Sequence, residues 1–222
     1  MQSRLVELLI FYPVFLFSLS VHEAAHGWTA DRFGDSTAKL LGRVTLNPLP
    51  HMDMIGTLLL PIVGILTGAP IFGWGKPVPV DTRYFKHPRR DNLWVAIMGP
   101  ISNITLAIIF AGASWGLVSL IPHLAPENFS QESFSFSSIR SLFEIFQMGV
   151  ILNLMLAFFN MLPLPPLDGG SVLRGILPWR MVDSFDNFSR YSFFLLLFLF
   201  MTGLLRYVAV PVFALAAVLL PG

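Results

Sequence analysis

Apolar positions fall in long blocks along this chain, and the polar positions between them are few and clustered. The first block, residues 5–30, predicts a helix about 39 Å long, enough to cross a bilayer core of about 30 Å. Phe33-Gly34-Asp35 ends it. Residues 93–121 and 142–162 predict two further membrane helices. Gly99-Pro100 in the first of these predicts a kink, because proline removes a helical donor. Residues 191–220 are almost wholly apolar but are broken at Gly203 and Arg206. That pattern fits two short crossings or one kinked element.

The shorter segments differ in character. Residues 39–46 partly alternate between apolar and polar, which predicts a short strand. Lys76-Pro77-Val78-Pro79-Val80 reads as extended, since proline restricts the residue before it, and 76–84 is a second candidate strand. Residues 54–72 are apolar but carry Gly56, Pro61, Gly64, Gly68 and Pro70. Such interruptions suit a re-entrant or broken segment. A polar loop is expected over 122–140, holding Glu127 and Glu132. Three prolines in Pro163-Leu164-Pro165-Pro166 stop the third core helix. Asp168 follows, as an N-cap for a helix near Ser171, as a metal ligand, or as both. Residues 171–190 read as interfacial, anchored by Trp179, Arg180 and Arg190.

Composition agrees with the pattern. Hydrophobic residues make up 55% of the 222 and charged residues 12%, with a mean hydropathy of +0.69. A soluble domain carries about 25% charged residues. The expected fold class is an all-α polytopic membrane protein: a three-helix core, a re-entrant segment, short strands and additional C-terminal membrane helices. It forms one domain over 1–222, with a catalytic core of about 5–175 and a C-terminal membrane segment of about 190–220. A net charge of +1 makes no case for nucleic acid. There is no cysteine, so any metal must be held by His, Asp or Glu. The N-terminus has the outline of a signal peptide, but cleavage near Ala24 would cut through the polar cluster described next. It is read as an uncleaved membrane helix.

That cluster, His22-Glu23-Ala24-Ala25-His26, lies within the first predicted helix. Residues four apart sit about 40° apart around a helix axis, so both histidines share a face and can bind one zinc. Glu23 can reach a water on that metal and take its proton. On a soluble helix the same five residues would simply be solvated. In a membrane helix each ionisable group costs about 3 kcal/mol even on the lenient scale, so a compensating partner is needed. Asn103 reads first as a helix–helix hydrogen-bonding residue, and His51 as a polar interfacial one.

Three stretches together resemble the site-2 protease family of intramembrane zinc metalloproteases. They are His22-Glu23-Ala24-Ala25-His26, Gly99-Pro100-Ile101-Ser102-Asn103, and Asn160-Met161-Leu162-Pro163-Leu164-Pro165-Pro166-Leu167-Asp168-Gly169-Gly170. Gly73-Trp74-Gly75-Lys76-Pro77-Val78-Pro79-Val80 is similar to the compact prokaryotic branch without PDZ or CBS domains. The resemblance implies one zinc on His22, His26 and Asp168, with Glu23 as general base. It also implies a transmembrane protein as substrate and the lipid bilayer as setting. Asn160, and with it Asn103, is expected at the substrate. A prenyl-protein protease would need a glutamate as third ligand, and Glu144 is the only candidate. A scaffold with a structural metal is the non-enzymatic alternative.

Parity then orders the topology. For Asp168 to reach His22 and His26, segment 54–72 must return to the side it left. The loops 31–53, 76–91 and 168–190 then share one side, with three, five and three of the fourteen basic residues. The positive-inside rule makes that side the cytoplasm and puts the N-terminus outside. The expected location is a prokaryotic cell membrane, with the active site near its cytoplasmic face.

Overall fold

The computed structural model describes residues 2–68, 73–124 and 134–221. Its helices are α1 (Gln2–Phe33), α2 (Thr37–Leu40), α3 (Leu60–Thr67), α4 (Pro88–Leu124), α5 (Phe134–Asn160), α6 (Asp168–Ile176), α7 (Trp179–Met201) and α8 (Arg206–Leu219). Three of these contain stretches long and apolar enough to cross a membrane: Leu8–Phe33, Pro88–Ile121 and Ser137–Asn160. The fold class is therefore an all-α polytopic membrane protein.

The three long helices form the core, with α4 packed along both α1 and α5. Small residues make this possible. Ala107 and Ala111 of α4 meet Val150 and Leu154 of α5 and Val212 and Ala216 of α8, all buried. In lipid, burial of apolar surface gives little drive, so close van der Waals packing across small side chains holds helices together. Large side chains point outward instead: Ile101, Ile108 and Trp115 of α4 are exposed, as lipid-facing residues should be. α4 runs unbroken through Pro100. α7 and α8 form a broken pair, bent by 70° at the turn that holds Gly203 at φ 71°. α7 begins at Trp179, so the expected interfacial stretch is continuous with the C-terminal membrane segment.

Met54–Thr67 spans a π-helical turn and α3. Fourteen residues reach only about 21 Å, short of a bilayer core. The chain also comes back: Trp74 N–H donates to Gly56 O (3.2 Å), and Thr57 Oγ1 donates to Trp74 O (2.8 Å). A Cβ on Gly56 would lie 2.5 Å from the Trp74 indole, so only glycine lets the ring rest on this backbone. The segment folds back on itself and is anchored to α1 by Tyr12 Oη–H donating to Thr57 O (3.0 Å). Residues 69–72, the end of the expected segment, lie outside the described residues, as do Glu127 and Glu132.

The expected strands are absent among the described residues. Residues 37–40 are helix α2, and Gly42 at φ 67° turns the chain after it. Residues 76–81 are extended but join no ladder. Pro77 and Pro79 have no N–H to give, and Arg43 donates to the carbonyls of Lys76 (2.6 Å) and Pro77 (3.3 Å). A guanidinium occupies acceptors that a neighbouring strand would need. The expected loop over 122–140 is also shorter, since α4 reaches Leu124 and α5 starts at Phe134. Arg140 and Glu144 pair across one exposed helical turn (3.0 Å), a spacing that favours helix where serine content suggested loop.

Segments 31–53 and 76–91 touch: Asp81 N–H donates to Asp35 Oδ2 (2.7 Å). Single cysteines at Thr37 and Thr82 should therefore respond alike to an impermeant thiol reagent in intact cells. Labelling of one without the other would show a true crossing between them.

Candidate metal centre

His22 and His26 lie one turn apart on α1, their rings nearly perpendicular with centroids 4.7 Å apart. Both are buried. α4 presses directly on them at Gly99, where a Cβ would sit 2.4 Å from His26 Nε2 and 2.7 Å from His22 Cε1. The sequence reading treated Gly99 as part of a kink; its role is close approach of backbone to imidazole.

Each ring is oriented from behind. His26 Nδ1–H donates to Val95 O (2.7 Å). His22 Nδ1–H donates to Asn103 Oδ1 (2.5 Å). The amide of Asn103 is itself fixed, because its Nδ2 donates to Asn153 Oδ1 (2.8 Å) and Ser18 O (3.3 Å). Asn153 Nδ2 in turn donates to Ser18 Oγ (2.8 Å) and Gly149 O (2.8 Å). With both Nδ1 atoms as donors, both Nε2 atoms are bare acceptors.

Those two acceptors are 3.1 Å apart, and Asp168 completes the set. Its Oδ2 lies 3.1 Å from His22 Nε2 and its Oδ1 3.3 Å from His26 Nε2. Oδ2 is buried and makes no hydrogen bond. Three lone pairs aimed at one point repel unless a cation stands among them. Tetrahedral zinc with bonds of about 2.0 Å spaces its ligand atoms about 3.3 Å apart, and the observed spacings match. Among the described residues, His22, His26 and Asp168 are the group so arranged.

Asp168 arrives from the other end of the sequence by a specific route. After α5 the chain unwinds through a cis Pro165-Pro166 bond and starts α6 at Asp168 itself, with Leu167 as the capping position. Asp168 is thus the first helical residue, not the cap of a helix near Ser171. Gly169 and Gly170 let α6 lie flat against the unwound loop: a Cβ on Gly169 would meet Leu162 O at 2.4 Å, and one on Gly170 would meet Pro165 N at 2.6 Å. Ser192 Oγ–H donates to Pro165 O (2.5 Å), and Arg174 pairs with Asp186, so α7 braces both loop and helix.

Glu23 is buried and turned to the segment after the re-entrant turn. Its Oε2 accepts from Val78 N–H (2.8 Å). Asn160 stays outside the three-residue group, its Nδ2 donating to Leu156 O (2.9 Å). Asn103 is fully buried behind His22. Glu144 is partly exposed and paired with Arg140, away from the imidazoles. His51, expected at the interface, is fully buried, and burial holds its pKa below the usual imidazole value. Its Nε2 contacts Thr45 O (3.0 Å) and its backbone carbonyl accepts from Lys76 N–H. Sequence reasoning missed Ser18, the Val95 carbonyl and the Val78 N–H. Ser18 and Asn153 carried a signal, since polar groups inside a membrane helix need partners. Backbone partners carry none.

A polytopic helical membrane fold, with two imidazoles, a carboxylate and a buried glutamate on converging helices, belongs to a membrane metallopeptidase. The profile of peptidase family M50 matches residues 10–202, and the chain belongs to that family, the site-2 proteases. It is 37% identical over 211 residues to "Putative zinc metalloprotease YwhC" of Bacillus subtilis, covering 91% of this chain and 89% of that one. It is 28% identical over 194 residues to "Putative zinc metalloprotease Rip2" of Mycobacterium tuberculosis, covering 86% and 66% respectively. No solved structure matches the chain. Zinc is the metal that the family and these names imply, and the donor set fits it.

Gly99→Ala should lose most of its zinc, because the new methyl collides with His26 Nε2 and with His22 Cε1 and pushes both rings aside. Gly112→Ala, whose Cβ meets nothing within 4 Å, should keep it. Metal content after dialysis against a mild chelator reads the difference.

Proposed function

We propose that this protein is an intramembrane zinc endopeptidase that cuts a peptide bond within or near a transmembrane segment of a membrane-protein substrate. One zinc per chain is held by His22, His26 and Asp168. The observation that carries the reading is the pair of bare Nε2 acceptors facing an unpartnered Asp168 oxygen inside a membrane helix bundle. Zinc in that position supplies a Lewis acid that polarises a carbonyl and brings the pKa of a water to about 7. Glu23 is the general base. Val78 N–H holds its Oε2, which leaves Oε1 to take the proton and later return it to the leaving amine. Asn103, enclosed behind His22, is a positioning residue in this reading rather than a substrate contact. Asn160, at the end of α5, keeps the substrate role, with its Oδ1 available to a peptide N–H.

The substrate binds extended, because a helical peptide bond is shielded by its own turn. The segment 73–81 is the surface for it. Trp74, Lys76 and Val78 direct their N–H groups inward, to Gly56 O, His51 O and Glu23. Alternation along an extended chain turns Gly75, Pro77 and Pro79 the other way; Arg43 holds the Pro77 carbonyl, and those of Gly75 and Pro79 on either side are offered to a substrate strand. The loops flanking the metal carry the basic residues, so the active site lies near the cytoplasmic face and the N-terminus outside.

Glu23→Gln should lower cleavage by about 100-fold or more while zinc stays bound, since glutamine cannot accept the proton. Asp168→Ala should lose both. Parallel metal analysis and cleavage assays decide; full zinc in Asp168→Ala would remove that residue from the ligand set, and brisk turnover by Glu23→Gln would require another base.

Glycine or proline placed beside the scissile bond of a substrate should speed cutting, because unwinding precedes attack. Equal rates across several substrates so altered would mean that the helix is not opened before the chemical step.

A further inference from the structure

A cleft of about 330 Å³ lies between the C-terminal end of α1 and the N-terminal end of α4, away from the metal ligands. Arg32, Phe33 and Gly34 form one wall, and Lys86, His87, Arg90 and Asp91 the other. Three cations from two separate elements therefore face one space. Asp91 offsets only Arg90: it is buried, its Oδ2 accepts from His87 N–H (2.8 Å), and its Oδ1 pairs with Arg90 (3.2 Å). Among the described residues, neither Arg32 nor Lys86 pairs with Asp91, the carboxylate that lines the cleft and is taken by Arg90.

The cleft is built on a rigid floor. Ala30, Phe85 and Val95 are buried beneath it, and Phe33 meets Phe85 edge-on with centroids 6.4 Å apart. Gly34, at φ 110°, lies flat under Tyr84 O and adds no side chain.

Its position relative to lipid is the second observation. One turn into the membrane from Arg32, Trp28 is exposed, with the Arg32 guanidinium 4.7 Å from its ring centroid. One turn in from Arg90, Trp94 is exposed as well. On α4, residues 90, 94, 101 and 108 fall within about 40° of one another around the axis. Trp94, Ile101 and Ile108 are all large, apolar and exposed. An apolar stripe thus runs down the membrane face of α4 from the basic cleft, with tryptophans at headgroup depth. A cationic cleft continuous with an exposed apolar stripe matches a molecule with a charged head and a hydrocarbon tail.

We propose that this cleft binds the phosphodiester headgroup of an anionic membrane lipid, with Arg32 and Lys86 as its principal cations and an acyl chain along Trp94, Ile101 and Ile108. Basic pockets between membrane helices recognise such headgroups by charge and by guanidinium hydrogen bonding. The lipid would fix the depth of α1 and α4, the two helices that position His22, His26 and Gly99.

The test uses the full chain purified in detergent. It is mixed with phosphatidylglycerol or phosphatidylcholine, and retained lipid is counted by native mass spectrometry. Wild type should retain phosphatidylglycerol in preference to phosphatidylcholine. Arg32→Gln with Lys86→Gln should reduce that retention by about tenfold or more. Arg140→Gln, on the far end of the bundle, should leave it unchanged, and Arg32→Lys with Lys86→Arg should keep most of it. Zinc content equal to wild type in every variant shows that the fold survives. Equal phosphatidylglycerol retention in wild type and the double Gln variant would overturn the proposal. So would saturable binding of inorganic phosphate that the double Gln variant loses while its lipid retention stays intact, which would make the cleft a site for a soluble anion.

Discussion

Three acceptor atoms without a proton among them, packed inside a helix bundle, are the constraint on which the rest of this structure depends. Bare imidazole nitrogens at 3.1 Å and a carboxylate oxygen with no donor would push apart in any medium, and more strongly in one of low dielectric. The fold holds them anyway. Val95 O and Asn103 grip the imidazoles from behind, Gly99 removes the side chain that would intervene, and Gly169 and Gly170 let Asp168 come close. A cation turns this repulsion into attraction, so the geometry makes sense as a metal site and poorly as anything else.

The surroundings of the site divide by stiffness. Behind the imidazoles, Ser18, Asn103 and Asn153 form a closed set in which each amide satisfies another buried group. Such a network in a membrane is costly to open, because no water replaces the lost bonds. In front, Glu23 is held by one backbone N–H from an extended segment with two prolines. That segment is tied to the turn at Gly56 and Thr57 by two hydrogen bonds, to His51 by one, and to Arg43 through one guanidinium nitrogen. Metal geometry is thus set by the stiff side, while access to Glu23 depends on the more adjustable one.

Much of this was legible in the sequence. The long apolar blocks announced the three membrane helices, and the spacing of His22 and His26 announced a shared face. Asp168 followed from resemblance to a family, not from spacing, since nothing local says that a residue so distant returns to α1. The strands failed for a specific reason. Alternation in 39–46 suggested pairing, but the partner acceptors belong to Arg43, and a side chain that replaces a strand leaves no periodic trace. Asn103 bonds between helices, as its first reading from the sequence expected. Its placement in a membrane helix showed that it needed a partner, while the identity of that partner, His22, depends on how α4 lies on α1. Gly99 is the same case: a glycine's function as absence is visible only against what would otherwise collide with it.

The place of Asp168 beside the two imidazoles explains why α5 must break. His22 and His26 lie well inside α1, and Asp168 has to reach them from a helix that ends on the same side. A continuous helix past Asn160 would carry the chain out of the membrane beside the other two, with its side chains directed around its own axis. Unwinding at Pro163, Pro165 and Pro166 instead lets the chain turn and begin α6 with Asp168 at its first position. There the carboxylate faces the imidazoles rather than capping its own helix. The freed backbone groups are absorbed locally, by Leu167 N–H on Leu164 O and by Ser192 on Pro165 O. The same device that ends a helix in a soluble protein here aims a carboxylate at two imidazoles, and Ser192 of α7 bonds the turn it leaves behind.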